Sequence, residues 1–351
     1  MINRVGIITY HHTSNYGATL QAYSINRMIT SLGFDCEIID YRPYKAVKAY
    51  LEADFLNRHA VKNLKKRIMI SNFLHNNVKL SVKAYYKYDQ LTGLANQYST
   101  IICGSDEIWN VKSFRGFDPS YFADFATSGV RKCSYAASVG SIYGFEQNSN
   151  KINSMLDSFY KVSVRDKNTA DILEKECSIK SQIVADPTLL LDFDFENLYF
   201  ESFRKRYVLV YGVLSKEEKS LVSHYADLLN LELISVGYYN GNRFRNIVDA
   251  GIVDWIKLIR DADLVVTCFY HGVVLSVKYN TPFLVCQRQS KMNKIGDLLN
   301  YLKLGYNTMD AKITNPSQVK NYIVKLSEDN IKERDELIGS SISYLKSCLL
   351  N

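Results

Sequence analysis

The clearest structural pattern in this chain is the stretch DLVVTCFYHGVVLSVKYNTPFLV, residues 263–285. It reads as an apolar strand ending near Thr267, a turn with His271 and Gly272, an apolar segment at helical spacing, and a second strand after Pro282. A strand, helix and strand in this order predict a parallel βαβ unit. Ligands of open α/β sheets bind beyond the carboxyl ends of the strands, so His271 lies where chemistry is expected. From position alone this histidine is as readily structural as catalytic.

Length and composition limit the class of protein. At about 100–200 residues per domain, a chain of 351 residues predicts two domains. The 47% hydrophobic and 23% charged residues are typical of a globular protein. No apolar run reaches the roughly 18–20 residues of a membrane span, and the start lacks a secretion signal, so the expected compartment is the cytoplasm. The seven cysteines form no CxxC pair and are expected to be reduced core residues.

The chain opens with the same kind of unit. A buried strand (residues 5–9), a helix (18–32) that Gly33 should end, and a strand (36–40) place the loop His11 to Gly17 on the ligand side of a sheet. Four further strands with polar loops are expected, at 100–103, 132–139, 162–164 and 182–184. The pattern predicts a doubly wound sheet over residues 1–195.

A second α/β series occupies residues 205–312, after a hinge around residues 193–206. It includes strands at 207–211 and 233–236 and the stretch quoted first. Residues 313–351 are predicted to be mostly helical and to pack back on the first domain. The expected architecture is therefore two Rossmann-like, doubly wound domains facing a cleft, of the GT-B type, with the C-terminal helix crossing back.

An insert of about residues 44–96 interrupts the first domain. Leu56, Ala60, Leu64 and Ile68 recur every fourth residue, which predicts an amphipathic helix with these residues on its apolar face. Between residues 55 and 88 there are eight Lys or Arg residues and no acid. Such a surface suits phosphates, an acidic glycan or an anionic membrane, and peripheral attachment to the inner membrane face is one interpretation. A solvated helix surface is the other.

Polar residues at the predicted strand ends form the candidate site. Arginine and histidine near glycine-bearing loops favour a phosphorylated or carboxylated substrate, because a guanidinium holds such an anion through two parallel hydrogen bonds. The candidates by position are Asn15, Gly17, Ser105, Asp106, Ser138, Arg165, Asp166, His271 and Gly272, with Trp109 offering a flat apolar face in the loop after residue 103.

Several other chemistries lack their signals. The sequence contains no GxGxxG after a strand, no GxxxxGK[ST], no HExxH and no GxSxG. His11 and His12 are adjacent, but no cysteine or carboxylate stands nearby at ligand spacing. We therefore expect no metal, no cofactor and no nucleic-acid partner.

Six short motifs occur in the order found in one known family. They are NYGATLQAYSI (15–25), GSDEIWN (104–110), SYAASVG (134–140), SVRD (163–166), ADPTLLLD (185–192) and YHG (270–272). Together they resemble the polysaccharide pyruvyl transferase family over almost the whole chain. The resemblance implies a GT-B-like fold and transfer of a pyruvyl group from phosphoenolpyruvate to a sugar of a surface or capsular glycan precursor, free or lipid-linked, giving a ketal and phosphate.

The resemblance also implies roles for individual residues. His271 matches the family's histidine before glycine and would act as general acid or base. Arg165 matches the arginine of the SVRD motif, and Lys291 falls where a basic residue follows the histidine; both would hold the phosphate and carboxylate of the donor. The loops of Asn15, Asp106 and Trp109, together with the basic insert, would face the acceptor.

One position departs from many relatives. Phe269 stands two residues before His271, where many members have an arginine, so fewer cations are expected around the donor. Two alternatives stay open from the sequence. The chain could be a GT-B glycosyltransferase that uses a nucleotide sugar, or a non-catalytic relative that binds a glycan.

Overall fold

The computed structural model describes residues 4–55, 59–193, 206–305, 308–309 and 316–350. The predicted hinge falls largely on residues 194–205, outside this part, as does Leu56 of the predicted basic helix. The chain divides into two compact units. The first contains residues 1–58, 70–191 and 335–351, and the second contains residues 59–69 and 192–334.

A parallel sheet forms the centre of the first unit. Its strands are β1 (Arg4–Ile8), β2 (Asp35–Ile38), β3 (Thr100–Cys103) and β4 (Arg131–Ser134). Their spatial order, β2-β1-β3-β4, reverses direction between β1 and β3. Ligands of doubly wound folds bind at such a reversal. Two short parallel strands, β5 (Ser163–Val164) and β6 (Gln182–Ile183), continue the sequence, and the bridge between Ala137 and Val164 links them to the loop after β4.

Helices follow β1, β2, β4 and β5 along the chain. They are α1 (Tyr16–Ser31), α2 (Tyr44–Phe55), α3 (Ala60–Asn77), α4 (Ser149–Leu156) and α5 (Lys167–Cys177). Gly33 has φ +90°, a conformation that favours glycine, which explains why α1 stops there. The strand predicted at 132–139 is shorter, because residues after Ser134 leave the ladder and make only isolated bridges.

The second unit has a five-stranded parallel sheet. Its strands are β7 (Tyr207–Tyr211), β8 (Glu232–Val236), β9 (Arg245–Ile247), β10 (Leu264–Thr267) and β11 (Phe283–Val285), in the order β11-β10-β7-β8-β9. This is the Rossmann order, with its reversal between β7 and β10. The helices are α6 (Lys216–Leu228), α7 (Ile252–Arg260), α8 (Tyr270–Tyr279) and α9 (Gln289–Tyr301). The predicted fold class, α/β with parallel sheets, is confirmed.

The last helix, α10 (Glu328–Leu349), belongs mostly to the first unit, which includes residues 335–351. Within that unit Tyr344 donates a hydrogen bond from its hydroxyl to the carbonyl of Ser134 at 3.0 Å, and the amide of Ala185 donates to Ser341 Oγ at 2.8 Å. These contacts tie the end of the chain to β4 and to the segment after β6. None of the helices in the described residues combines the length and the hydropathy that a membrane span requires.

The basic helix α3 is present, but its predicted apolar face is wrong. Leu64 and Ile68 are 40% and 51% exposed, while Asn63 and Lys66 are buried. Ile70 and Leu74 complete the buried side farther along the helix. The helix is therefore rotated so that its predicted apolar stripe faces solvent.

Candidate functional site

Four loops of the first unit meet at the carboxyl ends of its strands, and we call them the first loop cluster. They carry Ser105 and Asp106 after β3, Ser138 after β4, Arg165 after β5 and Asp186 after β6. The amide of Ser138 donates to the carbonyl of Asp106 at 3.0 Å, and the amide of Arg165 donates to the carbonyl of Ala137 at 3.2 Å. Four predicted site residues, Ser105, Asp106, Ser138 and Arg165, are thereby brought into one set of connected loops.

Arg165 is the central charge of the first loop cluster. Its side chain is 1% exposed and lies 3.3 Å from Asp186 Oδ2 and 3.8 Å from Asp106 Oδ1. The amide group of Gln21, in α1, also donates to Asp186 Oδ2. An ionised pair this deeply buried is tolerated only when its remaining hydrogen bonds are made. Asp186 satisfies this condition, because its Oδ1 accepts from both the amide and the hydroxyl of Thr188.

A second carboxylate, Asp166, orders the neighbouring loop. It caps α5 by accepting the amide of Thr169 at 2.8 Å, and its other oxygen accepts the hydroxyl of Ser138 at 2.6 Å. Ser138 Oγ in turn accepts the amide of Gly140 at 2.9 Å. The predicted substrate-binding residue Ser138 is thus fully buried and held within the protein's own network.

Backbone strain occurs in the same place. Asp106 has φ +78° and Ala136 has φ +51°, a region that residues other than glycine rarely adopt. Strained conformations persist only where surrounding contacts fix them, and they concentrate at functional sites. Ser105, next to Asp106, is fully buried, and among the described residues its hydroxyl has no hydrogen-bond partner.

The remaining predicted residues of this unit have different positions. Asn15 is exposed and caps α1, its side-chain oxygen accepting the amide of Gly17 at 2.9 Å. Trp109 is fully buried, stacks on Phe122 and donates its indole N–H to the carbonyl of Tyr121 at 3.0 Å. It is a core residue and offers no face to a ligand in this structure. The loop lies after β3, as the sequence predicts, but the side chain of Trp109 packs into the core.

His11 lies in a polar network at the end of β1. One ring nitrogen is 2.8 Å from Asp40 Oδ1 and the other 3.2 Å from the carbonyl of Thr9. Asp40 also accepts two hydrogen bonds from Arg42, at 2.6 and 2.8 Å. Both nitrogens of His11 are therefore engaged, which is incompatible with metal ligation in this arrangement. Within the described ranges no group of three or more His, Cys, Asp or Glu residues could hold a metal ion.

In the second unit His271 lies in the first turn of α8, directly after β10. The residue is 8% exposed, and its ring meets the ring of Tyr270 edge to face with centroids 5.3 Å apart. Phe269 is the N-terminal cap residue and contributes no side-chain capping bond. The N-terminus of a helix favours negative charge, so this turn suits a histidine that acts beside an anion.

Gly272 lets α8 approach the sheet. A Cβ at this position would lie 2.3 Å from Thr267 Oγ1, far inside van der Waals contact. The same hydroxyl donates to the carbonyl of Tyr211 at 2.7 Å and accepts the amide of Phe269 at 3.0 Å. Gly272 therefore fixes the position of His271 through packing. From the sequence, this glycine is predicted only to contact substrate.

Phe269 belongs to an aromatic cluster instead of providing a charge. Its ring lies 5.1 Å from that of Tyr211 and 5.2 Å from that of Tyr238, and Tyr211 also contacts Trp255 at 5.2 Å. Burial raises the pKa of Tyr238 to about 12, so this phenol stays neutral near pH 7. The wall beside His271 is therefore apolar and aromatic.

Lys66 is a site candidate that the sequence prediction missed. It is 9% exposed, its amine lies 3.4 Å from the carbonyl of Gly237 after β8, and it stands 5.5 Å from the ring centroid of Tyr238. Tyr238 in turn packs on Phe269. A cation from the basic insert therefore reaches the same aromatic cluster. The one sequence signal that separates Lys66 from the other seven basic residues of this run is its helical spacing. It lies three residues after Asn63 and four before Ile70, which are both on the buried side of the helix.

Two further cations follow β11. Arg288 forms a bidentate pair with Glu218, at 2.8 and 2.7 Å, and donates to the carbonyl of Val213 at 3.0 Å. Hydrogen bonding to Glu218 raises the pKa of Arg288 above its ordinary value. Lys291 lies in the first turn of α9, but its side chain is outside the described part of the structure. Its predicted contact with the donor stays a prediction.

Comparison with known proteins identifies the family. The model of the polysaccharide pyruvyl transferase family matches residues 15–290, so this chain belongs to that family, whose name implies a transferase. No curated protein matches the chain in sequence.

Solved structures agree on the architecture. UDP-GlcNAc 2-epimerase from Neisseria meningitidis, bound to UDP-GlcNAc, is similar with a TM-score of 0.55 at 8% identity, covering 99% of both chains. The S. aureus MnaA structure with UDP gives 0.55 at 10% identity, covering 98% of this chain and 95% of MnaA. The glycosyltransferase SnogD from Streptomyces nogalater gives 0.52 at 9% identity, covering 99% and 100%. At these identities the likeness establishes a GT-B fold and nothing about substrates.

Proposed function

We propose that this protein transfers the pyruvyl group of phosphoenolpyruvate to a pair of hydroxyls on a sugar of a glycan precursor, forming a ketal. The family match over residues 15–290 carries this proposal. The position of His271 beyond the carboxyl end of β10, in the first turn of α8, supports it.

The proposed reaction balances without a cofactor. One sugar hydroxyl adds its oxygen to C2 of the enolpyruvyl group while C3 gains a proton and becomes a methyl group. The second hydroxyl then forms the other C2–O bond as the C2–O bond to phosphate breaks. The two hydroxyl protons end on the methyl group and on the released phosphate.

His271 is the residue that we assign to proton transfer in this reaction. An imidazole can remove the proton of the attacking hydroxyl and later return a proton, which is general acid–base catalysis near neutral pH. Packing of Gly272 on Thr267 fixes the turn that holds the ring. The ring's orientation is set further by its contact with Tyr270.

The donor carries a phosphate and a carboxylate, so its site needs cations. We propose Lys66 as one of them, because its buried amine lies against Tyr238, a neighbour of Phe269. The predicted roles of Lys291 in donor binding and of Asn15 in acceptor binding remain part of the proposal. Arg165 is better described as a positioning residue, since its guanidinium faces Asp106 and Asp186.

The test is phosphate release from phosphoenolpyruvate with free and lipid-linked oligosaccharides as acceptors, and a new ketal methyl signal in the NMR spectrum of the product. Thermal unfolding separates the alternatives, because a ligand at 100 times its Kd adds about 2.7 kcal/mol of stability. Stabilisation by uridine diphosphate but not by phosphoenolpyruvate would favour a nucleotide-sugar glycosyltransferase. Glycan binding without turnover of any donor would favour a non-catalytic relative.

A further inference from the structure

Helix α3 presents an apolar stripe to solvent. Val61, Leu64 and Ile68 are 83%, 40% and 51% exposed. Their spacing of three and four residues places them on one line along the helix. Scattered exposed apolar residues are ordinary on protein surfaces, but a continuous apolar line marks an interaction surface.

The opposite side of α3 packs against the protein and is partly polar, which makes the solvent-facing position of the apolar stripe unusual. There the helix buries the polar side chains of Asn63 and Lys66, and the Lys66 amine lies near the carbonyl of Gly237. Burying an amine is unfavourable unless polar groups compensate it, whereas burying leucine and isoleucine is favourable. A helix that served only to cover the protein would be rotated the other way. The outward stripe therefore indicates a partner.

Charge identifies the kind of partner. Lys62 and Lys65 flank the stripe and are exposed, although Lys65 also pairs with Asp249 at 2.8 Å. The sequence from residue 55 to residue 88 holds eight basic residues and no acidic one. A second copy of this chain would bring like charge against like charge. An anionic lipid surface offers both negative headgroups and an apolar interior.

We propose that the outward face of α3, formed by Val61, Leu64 and Ile68 with Lys62 and Lys65, docks on an anionic lipid bilayer. The helix lies parallel to the bilayer plane. Its apolar side chains enter the boundary between headgroups and acyl chains, and its two lysines contact lipid phosphates. This surface is independent of the proposed chemistry and would bring the protein to lipid-linked molecules.

The experiment is co-sedimentation of the full chain with vesicles of phosphatidylcholine, with or without about one-third phosphatidylglycerol. The wild type should bind only the anionic vesicles, and added salt should weaken binding. The triple variant Val61→Gln, Leu64→Gln, Ile68→Gln should bind at least about tenfold more weakly. As a matched control, Leu228→Gln with Leu229→Gln alters two other exposed apolar residues and should leave binding unchanged.

Three outcomes would overturn the proposal: no binding of the wild type to anionic vesicles, equal binding to neutral vesicles, or full binding by the triple variant. A wild-type dimer that the triple variant dissociates would make a second copy the occupant instead. Thermal unfolding of the triple variant, expected to match the wild type, excludes a folding defect. Turnover with a soluble acceptor should not change, which separates this test from that of the proposed function.

Discussion

The first loop cluster and the turn of His271 occupy equivalent ends of two parallel sheets, but different forces hold them. In the first unit Arg165, Asp186 and Asp106 form a buried charged network. In the second unit the turn is fixed by a close glycine contact with Thr267 and by the rings around Phe269. Buried charges that pair with one another can hold loops in place. A group of packed aromatic rings can hold a single polar side chain that stays available for chemistry. This difference is consistent with the proposed roles, in which Arg165 positions the loops and His271 transfers protons.

The largest expected effect is on catalysis by the second region. His271→Ala should lower kcat by about 10²- to 10⁴-fold, roughly 3–5 kcal/mol in the barrier, because proton transfer loses its carrier. Phosphate release from phosphoenolpyruvate with a competent acceptor measures this. The exposed His224 supplies the control, His224→Ala, which should keep full activity. Near-normal turnover of His271→Ala would remove the assigned role.

Removing the guanidinium from the first region should mainly affect stability. Arg165→Met leaves Asp186 buried with an uncompensated charge and should cost about 3–5 kcal/mol of unfolding free energy. Urea denaturation measures the loss. Adding Asp186→Asn should recover part of it, and Lys167→Met, which removes an exposed ion pair, should change stability by less than about 1 kcal/mol. A stable Arg165→Met variant with lost donor affinity would instead support direct contact between Arg165 and the donor.

Gly272→Ala tests the packing that fixes the second region. The added methyl group collides with Thr267, so stability should fall by about 1–3 kcal/mol and turnover should fall with it. Gly339, in α10, is the matched control, because a Cβ added there would meet no atom within 4 Å. Gly339→Ala should instead stabilise the protein by about 0.5–1 kcal/mol, since alanine has the higher helix propensity. Equal effects of the two substitutions in thermal unfolding would show that the close contact does not govern this turn.

A smaller effect is expected at Lys66, which connects the basic insert to the aromatic cluster. Lys66→Met should raise KM for phosphoenolpyruvate about tenfold with little change in kcat, because one charged contact to the donor is lost. The methionine keeps the packing of the aliphatic stem. Lys62→Met, at an exposed position of the same helix, should leave KM unchanged. A lowered kcat at unchanged KM would assign Lys66 to the chemical step instead.

A further effect concerns acid stability in the first unit. Burial alone would raise the pKa of Asp40, but hydrogen bonds from His11 and Arg42 outweigh it and lower the pKa from 3.8 to about 2. A lowered carboxyl pKa stabilises the folded state above the unfolded pKa, and this contribution is lost as pH falls from about 4 to about 2. Asp40→Asn should therefore flatten the decline in stability across that window, whereas the exposed Asp171→Asn should not. Identical acid unfolding curves would contradict this linkage.

The sequence determined the parts of this protein that depend on local pattern. Runs such as Tyr207–Tyr211 and Leu264–Thr267 predict buried strands, and polar residues after them predict where a site lies. Six motifs in order also identified the family, which the family match confirms. The end of a strand can be predicted from the sequence because the change from apolar to polar residues involves only neighbouring positions.

The contacts of individual side chains in those loops depend on residues that are distant in sequence, so local pattern could not predict them. The side chain of Trp109 is buried because its ring stacks on Phe122 in the core. The hydroxyl of Ser138 donates a hydrogen bond to Asp166, which is distant in sequence. The rotation of α3 is decided by Lys66 meeting the carbonyl of Gly237, 171 residues away. Spacing along a chain shows which residues share a helix face, but the surrounding surfaces determine which face is buried.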